Sequence, residues 1–228
     1  MNQAIVQSSG GITLVGGAPV SAALFRIAQQ RAPVIVAADG GANRCLSQGI
    51  APAAVIGDMD SISPAARAAV PSERFHHIPE QDTTDFDKAL RSVDAPFVIA
   101  IGFVGARVDH GLAVLTTLVR QQRPCVLLGP QDVVFHAPPR LQLDLRRKDR
   151  FSLYPLARIS GRSTGLDWPI DGLDLAPDTR VGTSNRVSTG RVTLELSGPG
   201  MLCILPRARL DQALSALMAA ARAESRSL

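Results

Sequence analysis

Up to about residue 137, apolar positions fall in short unbroken runs separated by stretches of helical spacing. Ile12 to Val15, Val34 to Ala38, Ala53 to Ile56, Phe97 to Ile101 and Cys125 to Leu128 have the continuous apolar character of strands buried on both faces of a parallel sheet. Helical spacing marks the segments between them, with Leu24, Ile27 and Ala28 in one and Leu112, Leu115 and Val119 in another. Phe86, Ala89, Leu90 and Val93, at i, i+3, i+4 and i+7, give a further helix. Ser63-Pro64 ahead of Ala65-Ala66-Arg67 reads as an N-cap with proline at the first helical position. This alternation predicts an α/β fold, an open and mostly parallel sheet with flanking helices.

After Pro138-Pro139 the period drops to two. Leu141, Leu143 and Leu145 alternate with Gln142, Asp144 and Arg146, and Val192, Leu194 and Leu196 alternate with Thr193 and Glu195, the pattern of antiparallel sheet with one wet face. Turn-rich stretches at Ile159 to Gly165 and at Asp171-Gly172 separate these strands. A last helix carries an apolar stripe through Leu210, Ala213, Leu214, Leu217, Met218 and Ala221. The expected division is therefore an α/β domain over 1–138, and a smaller C-terminal all-β sandwich with a terminal helix over 139–228.

Composition narrows the choice of chemistry. A chain of 228 residues that is 46% hydrophobic can bury a core of its own. No run of membrane-spanning length appears, and Met1-Asn2-Gln3-Ala4 lacks the basic start of a secretory signal, so a cytoplasmic protein with no membrane partner is expected. Cys45, Cys125 and Cys203 stand far apart and suggest neither a zinc site nor a disulfide framework. His76 and His77 are adjacent, while His110 and His136 stand alone, which argues against a histidine metal centre. The net charge is +4 and the pI about 9.5, yet the densest basic run, Arg146-Arg147-Lys148 with Arg150, reads as a solvated loop. With one tryptophan and one tyrosine in the chain, stacking platforms for single strands are missing, and no nucleic-acid partner is expected.

The acids collect where such a fold binds ligands. In open parallel sheets the carboxyl ends of the strands bring loops and helix N-termini together. Val34 to Ala38 runs into Asp39-Gly40-Gly41-Ala42-Asn43, Ala54 to Ile56 into Gly57-Asp58-Met59-Asp60-Ser61, and Val98 to Ile101 into the loop ending Gly105-Ala106-Arg107-Val108-Asp109-His110. A fourth cluster, Gln81-Asp82-Thr83-Thr84-Asp85-Phe86-Asp87, opens a helix, and Thr84 with Asp87 also has the spacing of a capping box. If Asp58, Asp60, Asp82, Asp85 and Asp109 share one rim, carboxylates roughly 4 Å apart repel by about 4 kcal/mol at an effective dielectric near 20. A hard cation offsets that repulsion, and all-oxygen ligands point to Mg²⁺ holding substrate phosphates, with Arg107 free to grip a phosphate. Gly16-Gly17 is either a phosphate approach or an ordinary tight turn, and is not a Walker A loop.

Taken together, these motifs resemble the thiamine pyrophosphokinase family. The matching segments are Ala38 to Asn43, Gly57 to Ser61, Asp82-Thr83-Thr84-Asp85 with Lys88-Ala89-Leu90, Gly105 to His110, Gly165-Leu166-Asp167-Trp168, and Thr183-Ser184-Asn185. The resemblance implies an ATP-dependent diphosphotransferase, a homodimer with active sites between subunits, and the transfer of diphosphate from ATP to thiamine with release of AMP. It also implies catalytic roles for Asp58, Asp60, Asp85, Arg107 and Asp109, and Mg²⁺ on Asp58, Asp60 and Asp85. Asp39, Gly40, Gly41, Asp82, Thr84, Asp85 and Arg107 would form the ATP site. Trp168, Ser184 and Asn185 would contact thiamine, although taken alone Trp168 reads as a core residue and Ser184-Asn185 as turn chemistry.

Some positions depart from the family pattern. Ala106 replaces a usual glycine, Val114 a usual asparagine and Met59 a common aromatic residue, and the amphipathic tail from Leu210 is not a family hallmark. The expected chemistry is attack of the thiamine hydroxyl on the β-phosphorus, with Asp85 or Asp60 the candidate proton acceptor. Its rivals are a pyrophosphokinase for another hydroxymethyl heterocycle such as a pterin, and a nucleotide-binding regulatory relative without transfer activity.

Overall fold

The computed structural model describes residues 4–226, which fall into two compact units divided after Thr117. The first unit contains β1 (Val6–Gln7), β2 (Ile12–Val15), α1 (Ala22–Arg31), β3 (Val34–Ala38), α2 (Gly41–Ser47), β4 (Ala54–Gly57) and α3 (Pro64–Ala69). It continues through β5 (Phe75–His77), α4 (Asp85–Arg91), β6 (Val93–Asp94) and β7 (Val98–Ile101), and α5 (Val108–Gln121) leads the chain out of it. β7, β2, β3, β4 and β5 lie side by side and all parallel, with Ile12 opposite both Val34 and Val98 and with Gly57 opposite His77. The apolar runs are buried as the pattern predicts, and Ile12, Leu14, Val36, Val55, Ile56 and Ile99 are fully inaccessible. α4 packs on β3 and β4, α1 on β7, and α2 on β2 and β3. A short parallel pair, β1 with β6, joins Val6 to Val93 and Gln7 to Asp94.

Helix starts follow local chemistry. The Ser21 hydroxyl accepts from the Leu24 amide and begins α1; Ser63 does the same for Ala66 and α3, with Pro64 at the first position as expected. Thr84 caps α4 by accepting from the Asp87 amide at 3.3 Å. Because the strands run parallel, the residues that follow β2, β3, β4 and β7 leave the sheet along one rim.

The second unit holds β8 (Cys125–Leu128), β9 (Asp132–His136), β10 (Arg140–Asp144), β11 (Arg150–Pro155), β12 (Gly161–Thr164), β13 (Gly182–Arg186), β14 (Arg191–Leu196), β15 (Met201–Pro206) and α6 (Leu210–Ser225). β8, β9, β15, β11 and β13 form antiparallel neighbours in that order. β10, β14 and β12 form a second antiparallel sheet, whose residues Leu141, Leu143, Val192 and Leu194 are buried on one face. α6 lays its stripe, including Leu210, Ala213, Leu214 and Leu217, against β10, β8 and β9. The apolar tail is thus part of the core of this unit.

Some elements differ from the sequence reading. β8 pairs antiparallel with β9, Val126 opposite Phe135, since a continuous apolar run reports coverage of both faces and leaves a neighbour's direction open. Within the stretch read as turns, Gly161 to Thr164 forms a strand against β14, with the Thr164 and Thr193 hydroxyls 2.6 Å apart. Ladder hydrogen bonds belong to the backbone, so an edge strand of Gly, Arg, Ser and Thr pairs without an apolar pattern. No helix among the described residues is long and apolar enough to cross a membrane.

Candidate functional site

The loops that leave the parallel sheet of the first unit enclose a cleft of about 810 Å³. Gly16 and Gly17 after β2, Asp39 and Gly40 after β3, Asp58 and Asp60 after β4, Thr84 and Asp85 at the head of α4, and Gly102 and Phe103 after β7 all line it. Backbone geometry brings them close. A Cβ on Gly41 would sit 1.9 Å from the Val15 carbonyl oxygen, so α2 starts against β2 only because this residue is glycine. At Gly57 a Cβ would lie 2.8 Å from the Asp39 Cβ and 3.0 Å from Asp85 Oδ1, which shows how tightly the acids surround that glycine.

Asp39, Asp58 and Asp60 each offer a carboxylate oxygen within 4.8 Å of the other two. Asp39 and Met59 both adopt left-handed backbone, with φ of 41° and 68°. Such conformations cost a non-glycine residue on the order of 1–3 kcal/mol and persist where the surroundings hold them. Here Asn43 donates to the Ser61 carbonyl at 2.8 Å and accepts from the Ser63 amide at 2.9 Å, while Arg67 donates to the Met59 carbonyl at 2.9 Å. The Asp58 to Ser61 loop is therefore tied to α2 and α3.

Asp39 is 3% exposed. Its Oδ2 accepts from the Ser61 amide at 3.2 Å, whereas its Oδ1 is buried without a hydrogen-bond partner. Burial raises its pKa, the Ser61 hydrogen bond opposes that, and the nearby charge of Asp85 adds to it. Asp85 is raised likewise, chiefly by burial, with Lys88 pulling down and Asp58 pushing up. For Asp58 burial acts upward, but donation from Gln81 and the Asp60 amide, together with Lys88, leaves it below the usual carboxylate value.

Lys88 belongs to a sequence motif that by itself assigns the residue no role. Its side chain is 2% exposed, and Nζ lies 3.3 Å from Asp85 Oδ1 and 3.9 Å from Asp58 Oδ2. A lysine amid an apolar helix stripe and directly after acids was the available signal. One ammonium offsets part of the negative charge of Asp39, Asp58, Asp60 and Asp85. An orphaned buried carboxylate oxygen, three carboxylates within 4.8 Å and an all-oxygen donor set fit a hard divalent cation.

Other residues singled out from the sequence take varied positions. Thr84 lines the cleft and caps α4 at once. Arg107 lines the cleft and grips Asp109 through Nε at 3.1 Å and Nη2 at 2.5 Å. That guanidinium holds the Asp109 carboxyl down at about 2. Asp109 itself, like Asp82, is exposed and lies outside the lining, so the structure gathers Asp39, Asp58, Asp60 and Asp85 more closely than the full set of acids. Ala106 and Val114, the departures from the family pattern, both line the cleft, and the tilted rings of Phe86 and Phe103, 4.6 Å apart, give it an apolar wall.

In the second unit, Trp168 is 58% exposed rather than part of the core. The buried Asn185 brackets its backbone: Nδ2 donates to the Trp168 carbonyl at 2.6 Å and Oδ1 accepts from the Trp168 amide at 3.2 Å. Ser184, with φ of 62°, sits where the β11–β13 register shifts, and its amide donates to Ser152 Oγ at 3.0 Å.

The family model for the thiamin pyrophosphokinase catalytic domain matches residues 25–128, the segment that contains all these rim acids. Thiamin pyrophosphokinase 1 of Caenorhabditis elegans is 27% identical over 183 residues, covering 71% of this chain and 74% of the relative. These matches support the thiamine pyrophosphokinase family for this chain. Thiamine pyrophosphokinase 1 of Oryza sativa subsp. japonica is 26% identical over 200 residues, covering 72% of this chain and 76% of that one. The likeness extends to the fold of solved thiamine pyrophosphokinases. The yeast enzyme superposes with a TM-score of 0.74 at 16% identity, over 93% of this chain and 94% of its own. That of Candida albicans gives 0.73 at 18% identity, over 86% and 90%.

Proposed function

We propose that this chain is a thiamine pyrophosphokinase and transfers a diphosphate group from ATP to the hydroxyl of thiamine, releasing AMP. The observation that carries the site assignment is the cleft in which Asp39, Asp58 and Asp60 converge, with the buried Asp39 Oδ1 unpartnered. In the reaction the thiamine hydroxyl oxygen forms a bond to the β-phosphorus, the bond between that phosphorus and the oxygen bridging to the α-phosphorus breaks, and AMP leaves. The hydroxyl proton passes to a rim carboxylate.

Asp58, Asp60 and Asp85, with Asp39 beside them, would hold Mg²⁺, which supplies charge neutralisation to the phosphate oxygens when bound. Lys88 keeps Asp58 and Asp85 in place by its charge, and Arg107 binds a phosphate oxygen in exchange for part of its pairing with Asp109. Gly40 and the start of α2 bring backbone amides toward the triphosphate. Trp168 offers its exposed face to a thiamine ring, and a cation–π contact with the thiazolium contributes about 0.5–2 kcal/mol. The proposal divides the work between an ATP-binding α/β part, 1–138, and a thiamine-binding part, 139–228, in a cytoplasmic homodimer.

The test is incubation of the purified chain with ATP, Mg²⁺ and thiamine, followed by quantifying AMP and thiamine diphosphate. Equal amounts of both products are expected, and a hydroxymethyl pterin in place of thiamine should release no AMP. ATP binding with no thiamine-dependent AMP would refute the assignment. Sedimentation equilibrium checks the dimer.

A further inference from the structure

An exposed tryptophan gives up burial of a large apolar surface, so a fold that holds one rigidly in the open needs a reason. Trp168 is held from several sides. Leu166 bridges to Val187, and the Asp167 amide donates to the Arg186 carbonyl at 2.8 Å. One residue further on, the backbone ladder ends and the Asn185 side chain replaces it, its amide meeting the amide and the carbonyl of Trp168 as a neighbouring strand would. Asn185 is 7% exposed and its oxygen also accepts from the Arg186 amide at 2.7 Å. Those bonds occupy the Asn185 side chain with protein backbone.

The indole ring is held by a separate device. The Arg186 guanidinium carbon lies 5.6 Å from the centre of the Trp168 ring, and its Nε donates to Asp167 Oδ2. Asp167 and Arg186 thus flank Trp168 and Asn185 in sequence and join across them. With the guanidinium over the indole ring and more than half of the residue still exposed, aromatic surface is left for a ligand. Rigid presentation of an aromatic surface lowers the ordering cost of binding a flat ring.

We propose that Arg186, held by Asp167, is a positioning residue that braces the indole of Trp168 and fixes the aromatic surface on which a flat substrate ring stacks. Asn185 serves the same end by fixing the backbone instead of touching the ligand. The inference rests on the reading that Trp168 receives the thiamine ring.

Trp168 is the one tryptophan in the chain, so its fluorescence reports on the brace directly. Arg186→Gln should lower the steady-state anisotropy of the ligand-free protein and raise the KM for thiamine about two- to fivefold, the factor of an exposed cation–π contact. Its kcat, its KM for ATP and its melting temperature should stay close to wild type. Arg186→Lys, which keeps a cation near the ring, should recover most of both effects. Wild-type anisotropy and KM in Arg186→Gln would overturn the proposal, as would a lower KM, which would make Arg186 a competitor for the ring. Trp168→Ala separates the two levels. A normal thiamine KM in that variant overturns the substrate reading, whereas a raised KM there beside an unchanged Arg186→Gln overturns the brace alone.

Discussion

Lys88 is the residue on which the acidic rim most depends, and Lys88→Met removes its charge while keeping its length. At an effective dielectric near 20, a unit charge 3.3 Å from Asp85 Oδ1 and 3.9 Å from Asp58 Oδ2 contributes about 5 and about 4 kcal/mol of attraction. Part of that is cancelled by the desolvation that a buried ammonium suffers and a methionine does not. Breaking a buried pair from one side commonly costs about 3–5 kcal/mol, and we expect a loss near the lower end because Asp85 is partly exposed. The loss should depend on pH. Burial already raises Asp85 and Lys88 draws it down, so without Lys88 the folded-state pKa moves further above the unfolded value. A carboxyl raised in this way destabilises as pH increases through the window between the two values, so the variant should approach wild type on acidification from pH 8 to 5. Asp85→Asn in the same chain should restore part of the loss, and Mg²⁺ should stabilise the variant more than wild type. Urea unfolding in EDTA and in Mg²⁺, at both pH values, measures each of these. A midpoint equal to wild type at pH 8 in EDTA would refute the reasoning.

Other expectations follow from single contacts. Asp58→Asn should abolish AMP formation while leaving the circular dichroism spectrum intact, and near-normal turnover would count against the site. Gly41→Ala places a methyl 1.9 Å from a carbonyl oxygen that no rotamer change can move, so a loss of about 3 kcal/mol is expected in thermal unfolding; Gly40→Ala, whose nearest neighbour would be the Ser61 Cβ at 3.2 Å, should be much milder. His136 is buried, accepts from the Gly200 amide at 3.2 Å, and burial lowers its pKa to about 4. Its neutral form contributes stability that is complete above the unfolded value of about 6.5 and is lost as pH falls toward 4, a difference of roughly 2–3 kcal/mol. His136→Gln should flatten that part of the pH dependence of unfolding, and an unchanged slope would refute it.

What the sequence determined by itself was local and periodic. Continuous apolar runs gave β2, β3, β4 and β7, the Ser63 hydroxyl began its helix, and short acidic motifs after strands named Asp39, Asp58, Asp60 and Asp85, because strand burial, capping and loop composition act over a few residues. Tertiary structure decided the rest. The direction of β8, the polar strand β12, the Lys88 ion pairs, the unpartnered oxygen of Asp39, the placement of Asp82 and Asp109 outside the cleft, and the exposure of Trp168 under Arg186 all depend on distances between residues far apart in the chain. The physical reason is that charge and stacking energies vary with separation in space, and no pattern of neighbours along the chain fixes that separation before the sheet is assembled.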